Sequence, residues 1–303
     1  MDRGQVPLVD TVDMEILMYR NAHFGASFDV MLDYYHQEGV GVLPDFSIKQ
    51  IQKLKQIEEE AGQDLGELYL PEAAKRVVAQ AQQAYARLRA VYGEEEPEEL
   101  AIQVSDLILA EEEFPEQEIE ALVETGSEAV PILVELLQKD MFYDPLFPGY
   151  GRAPIFAAKT LAAIGDERAI TPLFDALGHD NFFTDEGIIR ALCSFGESAR
   201  DFLLQRVQQR PLSKDNEYAA IVLNAFPEEE TIARASLALL QHEDVLGKFS
   251  LASYLVFNCP GLATSDERQT FCALAHDEKT PKEITREMEI VVKSWQRQGK
   301  ILS

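Results

Sequence analysis

The chain has 303 residues, 46% hydrophobic and 26% charged, which is enough for one long domain or two ordinary ones and too apolar for wholesale disorder. Against 27 Lys and Arg stand 53 Asp and Glu, a net charge of −26 that repels phosphate backbones and anionic lipid, so nucleic acid and membrane are excluded as expected partners. The three cysteines form no C-x-x-C pair, no signal-peptide pattern opens the chain and no apolar run reaches bilayer length, so the expectation is a cytoplasmic protein with small buried thiols and no cofactor.

Charge marks out three segments. Residues 1–93 carry a net of −5 and residues 139–303 a net of −6, while Glu94 to Gln138 holds 15 acidic residues and no Lys, Arg or His. The expected division is an N-terminal helical region at 1–93, an acidic helical connector at 94–113 and a repeat region at 114–303. In the first segment, Val12, Ile16, Leu17 and Tyr19 fall near one helical face, and Phe24, Phe28, Met31, Leu32 and Tyr35 continue at spacings of 3 and 4. Ser47 opens a helix through Ile48, Ile51, Leu54 and Ile57 that Gly62 ends. Pro71 opens another, through Val77, Val78, Ala81, Ala84, Tyr85, Leu88 and Tyr92 to Gly93. Pro97 begins a helix carrying Leu100, Val104, Leu107 and Ile108.

From residue 114 the chain repeats itself. Gly126-Ser-Glu-Ala-Val-Pro-Ile-Leu, Gly165-Asp-Glu-Arg-Ala-Ile-Thr-Pro-Leu, Gly196-Glu-Ser-Ala-Arg-Asp-Phe-Leu and Pro227-Glu-Glu-Glu-Thr-Ile-Ala-Arg align, with anchors separated by 39, 31 and 31 residues. A weaker unit runs through Ser265-Asp-Glu-Arg-Gln-Thr-Phe-Cys. A short helix precedes each anchor, so each unit is helix, tight turn, helix, loop. One such pair cannot cover its own apolar stripe, and stacked pairs can. Leu133, Leu136, Leu161, Leu173, Leu177, Leu192, Leu203, Leu223 and Leu239 occupy the stripe and should be buried. The fold class is therefore all-α, a helical solenoid preceded by an N-terminal helical region.

The stretch Ala157-Ala-Lys-Thr-Leu-Ala-Ala-Ile-Gly-Asp-Glu-Arg-Ala-Ile-Thr-Pro-Leu resembles the HEAT-like repeat of the phycobilin-lyase type. The resemblance covers roughly half the chain, from Phe114 onward, most closely in this unit. Pro227 in place of the turn glycine and the loss of Asp-x-Arg at 197–200 depart from it. It implies an α-α superhelix of the kind commonly used to hold other proteins. A few family members are enzymes acting on bilins or damaged DNA bases, but the repeat does not carry their chemistry, and no catalytic residue is transferred.

No complete catalytic motif is present: Gly39-Val-Gly41 and Gly149-Tyr-Gly151 read as ordinary turns, and neither P-loop, H-E-x-x-H nor G-x-S-x-G occurs. His23, Asp29, Asp33 and His36 fall within 14 residues and could share a face as metal ligands. The competing reading, a solvated helix face with His36 near its C-terminus, is preferred, and no metal is expected. The acidic middle reads as exposed helix faces, with a docking patch for a basic partner as a further possibility.

The first repeat spacing exceeds the next by 8 residues, and the excess lies in 139–154, which holds Met141, Phe142, Tyr143, Leu146, Phe147 and Tyr150 with a lone Arg152. A following loop at 178–186 brings Phe182 and Phe183. If the two loops lie side by side on one edge and expose aromatic area, Phe142, Tyr143, Phe147, Tyr150, Arg152, Phe182 and Phe183 form a partner-binding site, with Arg152 gripping a carboxylate. If the rings fold back, they plug the gap beside the N-terminal helices. The leading functional expectation is a non-catalytic protein-interaction scaffold or adaptor. The alternatives are a lyase- or isomerase-like enzyme holding a bulky apolar ligand near the aromatic loops, with Asp144, His179 or Asp180 perturbed, and an acidic mimic that sequesters a basic partner.

Overall fold

In the computed structural model, which describes residues 10–178 and 182–299 without the side chains of Phe182 and Phe183, most N-terminal helices start where a side chain can take up the free N–H groups of a first turn. Helix α1 (Thr11–His23) opens with a reciprocal box: Asp10 accepts from the Asp13 N–H at 2.8 Å, and Asp13 accepts from the Asp10 N–H at 3.3 Å. Ser27 caps α2 (Phe28–His36), Ser47 caps α3 (Ile48–Ala61) and Asp64 caps α4 (Leu65–Tyr69). Pro71 precedes α5 (Glu72–Ala90). The apolar run read as continuous from Phe24 is interrupted, because Gly25 and Ala26 take φ of +58° and +60° between α1 and α2. The helix expected at Pro97 begins at Glu99 as α6 (Glu99–Leu109). It is followed by α7 (Glu116–Thr125), α8 (Val130–Gln138) and α9 (Ala153–Ile164).

The remaining helices are α10 (Ile170–Asp175), α11 (Phe182–Ser194), α12 (Glu197–Val207), α13 (Lys214–Asn224), α14 (Glu230–Leu240), α15 (Glu243–Leu246), α16 (Phe249–Asn258), α17 (Ser265–Ala275) and α18 (Lys282–Arg297). Capping boxes Ser213/Asn216 and Thr264/Glu267 start α13 and α17. Among the described residues there is no β-strand. The expected turns are present: Gly126, Gly165 and Gly196 take φ of +69°, +71° and +57°, and Pro227 lies between α13 and α14. All nine expected leucines are buried. The loop expected over 178–186 is shorter, because α11 already begins at Phe182. Asp185, in its first turn, accepts the Gly178 N–H at 3.0 Å.

Contacts divide the chain into two compact units: one runs to Asp166 and takes in Thr184, the other holds Glu167–Gly178 and Asp185 onward. They do not follow the charge segments, because α6 packs on α7 and α9 and so lies within the first unit. In that unit α1 packs on α3, α4 and α5, and α7 and α8 both pack on α9. In the second, α12 packs on α13, α13 and α14 on α16, and α16 and α17 on α18. The helices after the Gly126, Gly196 and Pro227 turns, α8, α12 and α14, thus cover the first helix of the next pair, α9, α13 and α16, as stripes that cannot bury themselves require.

The N-terminal core is anchored by an unforeseen charge. Arg20 on α1 is fully buried, lies 4.3 Å over the Phe28 ring, and pairs with Glu58 at 2.6 Å and Asp64 at 2.9 Å. Two carboxylates and a ring face satisfy a cation that would otherwise be costly to bury.

Candidate functional site

The aromatic loop between α8 and α9 turns inward. A short 3-10 turn (Asp140–Phe142) leads it off α8, and Asp144 accepts the Leu146 N–H at 2.9 Å. Leu146 and Phe147 are 9% and 8% exposed and belong to the same core as Ile16, Leu17, Phe24, Phe46 and Ile51, with Met141 and Tyr150 packed against it. Of the two readings of this loop, display on an edge is corrected for Phe147: it and Leu146 fold back into the N-terminal core, with Tyr150 packed against it. Phe142 and Tyr143 are half-buried, and the Tyr143 hydroxyl donates to the Leu137 carbonyl at 2.8 Å. Arg152 is engaged within the chain, donating to the carbonyls of Glu112 and, at 3.2 Å, Glu113, and lying 4.8 Å over Phe156; its Nη1 is buried with no hydrogen-bond partner. Phe182 and Phe183 sit in the first turn of α11, and their side chains, like His179 and Asp180, lie outside the described residues.

The two Gly-x-Gly turns meet. Gly149, Tyr150 and Gly151 take φ of +84°, +55° and +75° in succession, an unusual conformation for tyrosine that the flanking glycines make possible. This run drives the Tyr150 ring against Gly41, where any Cβ would collide with it, while a Cβ at Gly39 would collide with the Tyr34 ring. The Gly41 peptide groups are held as well: its N–H donates to the Tyr34 hydroxyl at 3.0 Å, and its carbonyl accepts from the Tyr19 hydroxyl. Glu111, from the segment after α6, accepts from Tyr34 at 2.8 Å and from Tyr150 at 3.3 Å.

His23 lies at the centre of these rings, 4.3 Å from Tyr19 and 4.7 Å from Tyr150 between centroids. One nitrogen, Nε2, faces the Pro145 carbonyl at 2.9 Å; a carbonyl only accepts, so Nε2 carries the proton and Nδ1 accepts from the Tyr85 hydroxyl at 2.8 Å. Burial pushes the His23 pKa down to about 4, which keeps the ring neutral near pH 7. Burial also holds Tyr19, Tyr34, Tyr85 and Tyr150 above the ordinary phenol range, with the Glu111 carboxylate adding to each shift.

Beside this cluster a cavity of about 270 Å³ opens to solvent, lined by Glu15, Met18, Tyr19, Leu43, Phe46, Val77, Asp144, Pro145 and Leu146. The second surface feature is acidic. Glu94, Glu95, Glu96, Glu98, Glu99, Glu111, Glu112, Glu113, Glu116, Glu120, Glu124 and Glu128 are exposed, and Asp106, Glu118 and Glu135 half-buried. Among the described residues the one ion pair to this set is Glu135 with Lys139. The four candidate metal ligands are not brought together as a site: Asp29 pairs with Lys55, His36 bonds the Leu32 carbonyl, and His23 is enclosed by rings. No group of three or more His, Cys, Asp or Glu among the described residues is placed to hold a metal ion. Sequence reasoning reaches Tyr85 only as a helix-stripe residue, Glu111 only as part of the acidic middle and His23 only as a metal ligand; the pairing of Gly39-x-Gly41 with Gly149-x-Gly151 is the signal that could have joined the two turns.

No helix among the described residues is long and apolar enough to cross a membrane. The family described as PBS lyase HEAT-like repeat matches residues 155–179, which cover all but the first two residues of α9, the Gly165 turn and α10. No curated protein and no solved structure matches the chain. Over that one unit the chain is similar to a HEAT-like repeat, set within an all-helical fold of a kind consistent with protein–protein interaction.

Proposed function

We propose that the protein is a non-catalytic adaptor, built on acidic HEAT-like helical repeats, that captures a basic protein partner. One observation carries the reading: the long run of exposed carboxylates on and around α6 and α7, with the one ion pair to the acidic set made by half-buried Glu135 on α8, on a chain of net charge −26. Carboxylates at this density attract and orient a positively charged surface and exclude nucleic acid. Neutralising Glu95, Glu96, Glu98, Glu99, Glu112 and Glu113 to Gln should weaken binding of a lysine-rich peptide and flatten its salt dependence between about 50 and 500 mM NaCl. The helical circular dichroism should stay unchanged. Equal binding by the neutralised and parent proteins would remove this reading.

A second reading, a lyase- or isomerase-like enzyme holding a bulky apolar ligand, is favoured by the cavity beside the aromatic loop. Turnover of a bilin-like or other conjugated apolar compound, lost on filling the cavity, is the result that would favour it over capture alone.

A further inference from the structure

We infer that the cavity on the first unit seats an aromatic side chain carried by a lysine- or arginine-rich peptide segment, with Glu15 and Asp144 holding the flanking cations. The inference rests on the reading of the protein as a receptor for a basic partner, and it names where that partner is anchored.

Size and walls select the anchor. An apolar cavity of roughly 150 Å³ admits benzene, so about 270 Å³ takes one ring-sized group with a little room. Met18, Leu43, Phe46, Val77 and Leu146 supply apolar contact. Phe46 and Leu146 belong to the buried core, so their positions are set before any ligand arrives. The mouth opens between exposed residues, so a ligand larger than the ring continues over the surface, as a peptide does.

Charge selects the flanks. Glu15 and Asp144 are the only charged residues lining the cavity; both are exposed, and neither makes an ion pair among the described residues. Asp144 is fixed by accepting the Leu146 N–H at 2.9 Å through Oδ1, which leaves Oδ2 for a second donor. An anionic ligand such as a fatty acid meets two like charges at the entrance. A neutral one strips water from two carboxylates without replacing it, and a cation beside the ring meets both.

The test titrates the full chain by calorimetry with three short peptides: one Phe among lysines, the same with Ala for Phe, and the Phe peptide with Gln for Lys. A fourth titrant, 2-phenylethylamine, carries the ring and one cation without a peptide. The Phe–Lys peptide should bind about tenfold or more tighter than its Ala counterpart. Val77→Trp, which fills the cavity, should erase that preference and keep the salt-dependent binding of the Ala peptide. Glu15→Gln with Asp144→Asn should weaken the Phe–Lys peptide severalfold and leave the Gln peptide unchanged. Equal binding of the Phe and Ala peptides to the parent protein needs no variant and overturns the anchor while the acidic-surface reading stands. A Phe preference that survives in folded Val77→Trp places the anchor elsewhere and overturns it too. Binding of 2-phenylethylamine as tight as the Phe–Lys peptide assigns the cavity to a small amine and overturns the peptide. Absence of binding by every peptide removes both this inference and the reading it rests on.

Discussion

His23 joins two distant parts of the first unit through its own ring: Nδ1 takes the Tyr85 hydroxyl of α5, and Nε2–H meets the Pro145 carbonyl of the aromatic loop. A proton added to Nδ1 would remove the acceptor and place a charge among Tyr19, Phe24 and Tyr150. The folded-state pKa near 4 lies below the ordinary value of 6.5, so between the two the unfolded chain binds the extra proton. The contribution to stability is complete above pH ~6.5 and is lost as pH falls towards 4, with a size of about 3 kcal/mol. His23→Gln keeps a donor and an acceptor but does not titrate. In urea unfolding at pH ~7 and pH ~4.5, the parent protein should lose more stability on acidification than the variant. Parallel losses would show that the ring titrates normally.

At the scale of elements, the aromatic loop is the part that composition misreads. Phe, Tyr, Met and Arg are enriched at binding hot spots, and the same rings fill cores. Sequence spacing located the insertion between α8 and α9, but nothing local to it revealed that α1, α3 and α5 leave a gap for Leu146 and Phe147. Phe147→Ala should therefore destabilise the protein by about 3 kcal/mol, read as a lowered urea midpoint. A midpoint unchanged within error would return Phe147 to an exposed role. The helices were legible because their signals are local: Ser47 and Gly62 bracket α3, and Gly126, Gly165 and Gly196 take the left-handed turns their spacing called for. Arg20, Tyr85 and Glu111 were silent because their meaning lies in partners tens of residues away, at Glu58 and Asp64, at His23, and at Tyr34 and Tyr150.

Across the whole molecule, charge governs how stability responds to the solvent. A net charge of −26 opposes compaction through self-repulsion, and screening relieves it. The thermal midpoint should rise with NaCl from about 20 to 500 mM, as the Debye length falls below the spacing of surface carboxylates. The Gln variants of the α6–α7 surface should start higher and rise less. A midpoint that falls with salt would mean that attractive ion pairs outweigh the repulsion. The compact units divide the chain at other places than the charge does, since charge sits on exposed faces and packing is decided by the faces beneath.

The junction of Gly41 with Tyr150 also orders events in time. On a ribosome, where chains emerge at about 5–20 residues per second, α1 to α5 are complete well before Leu146, Phe147 and Tyr150 exist. During that interval the nascent helices present the apolar side that these residues later close, and Tyr19 and Phe46 stay open on it. The N-terminal region therefore matures only when a repeat far downstream has been synthesised, which couples its exposure to chaperones to the rate of translation across residues 94–150.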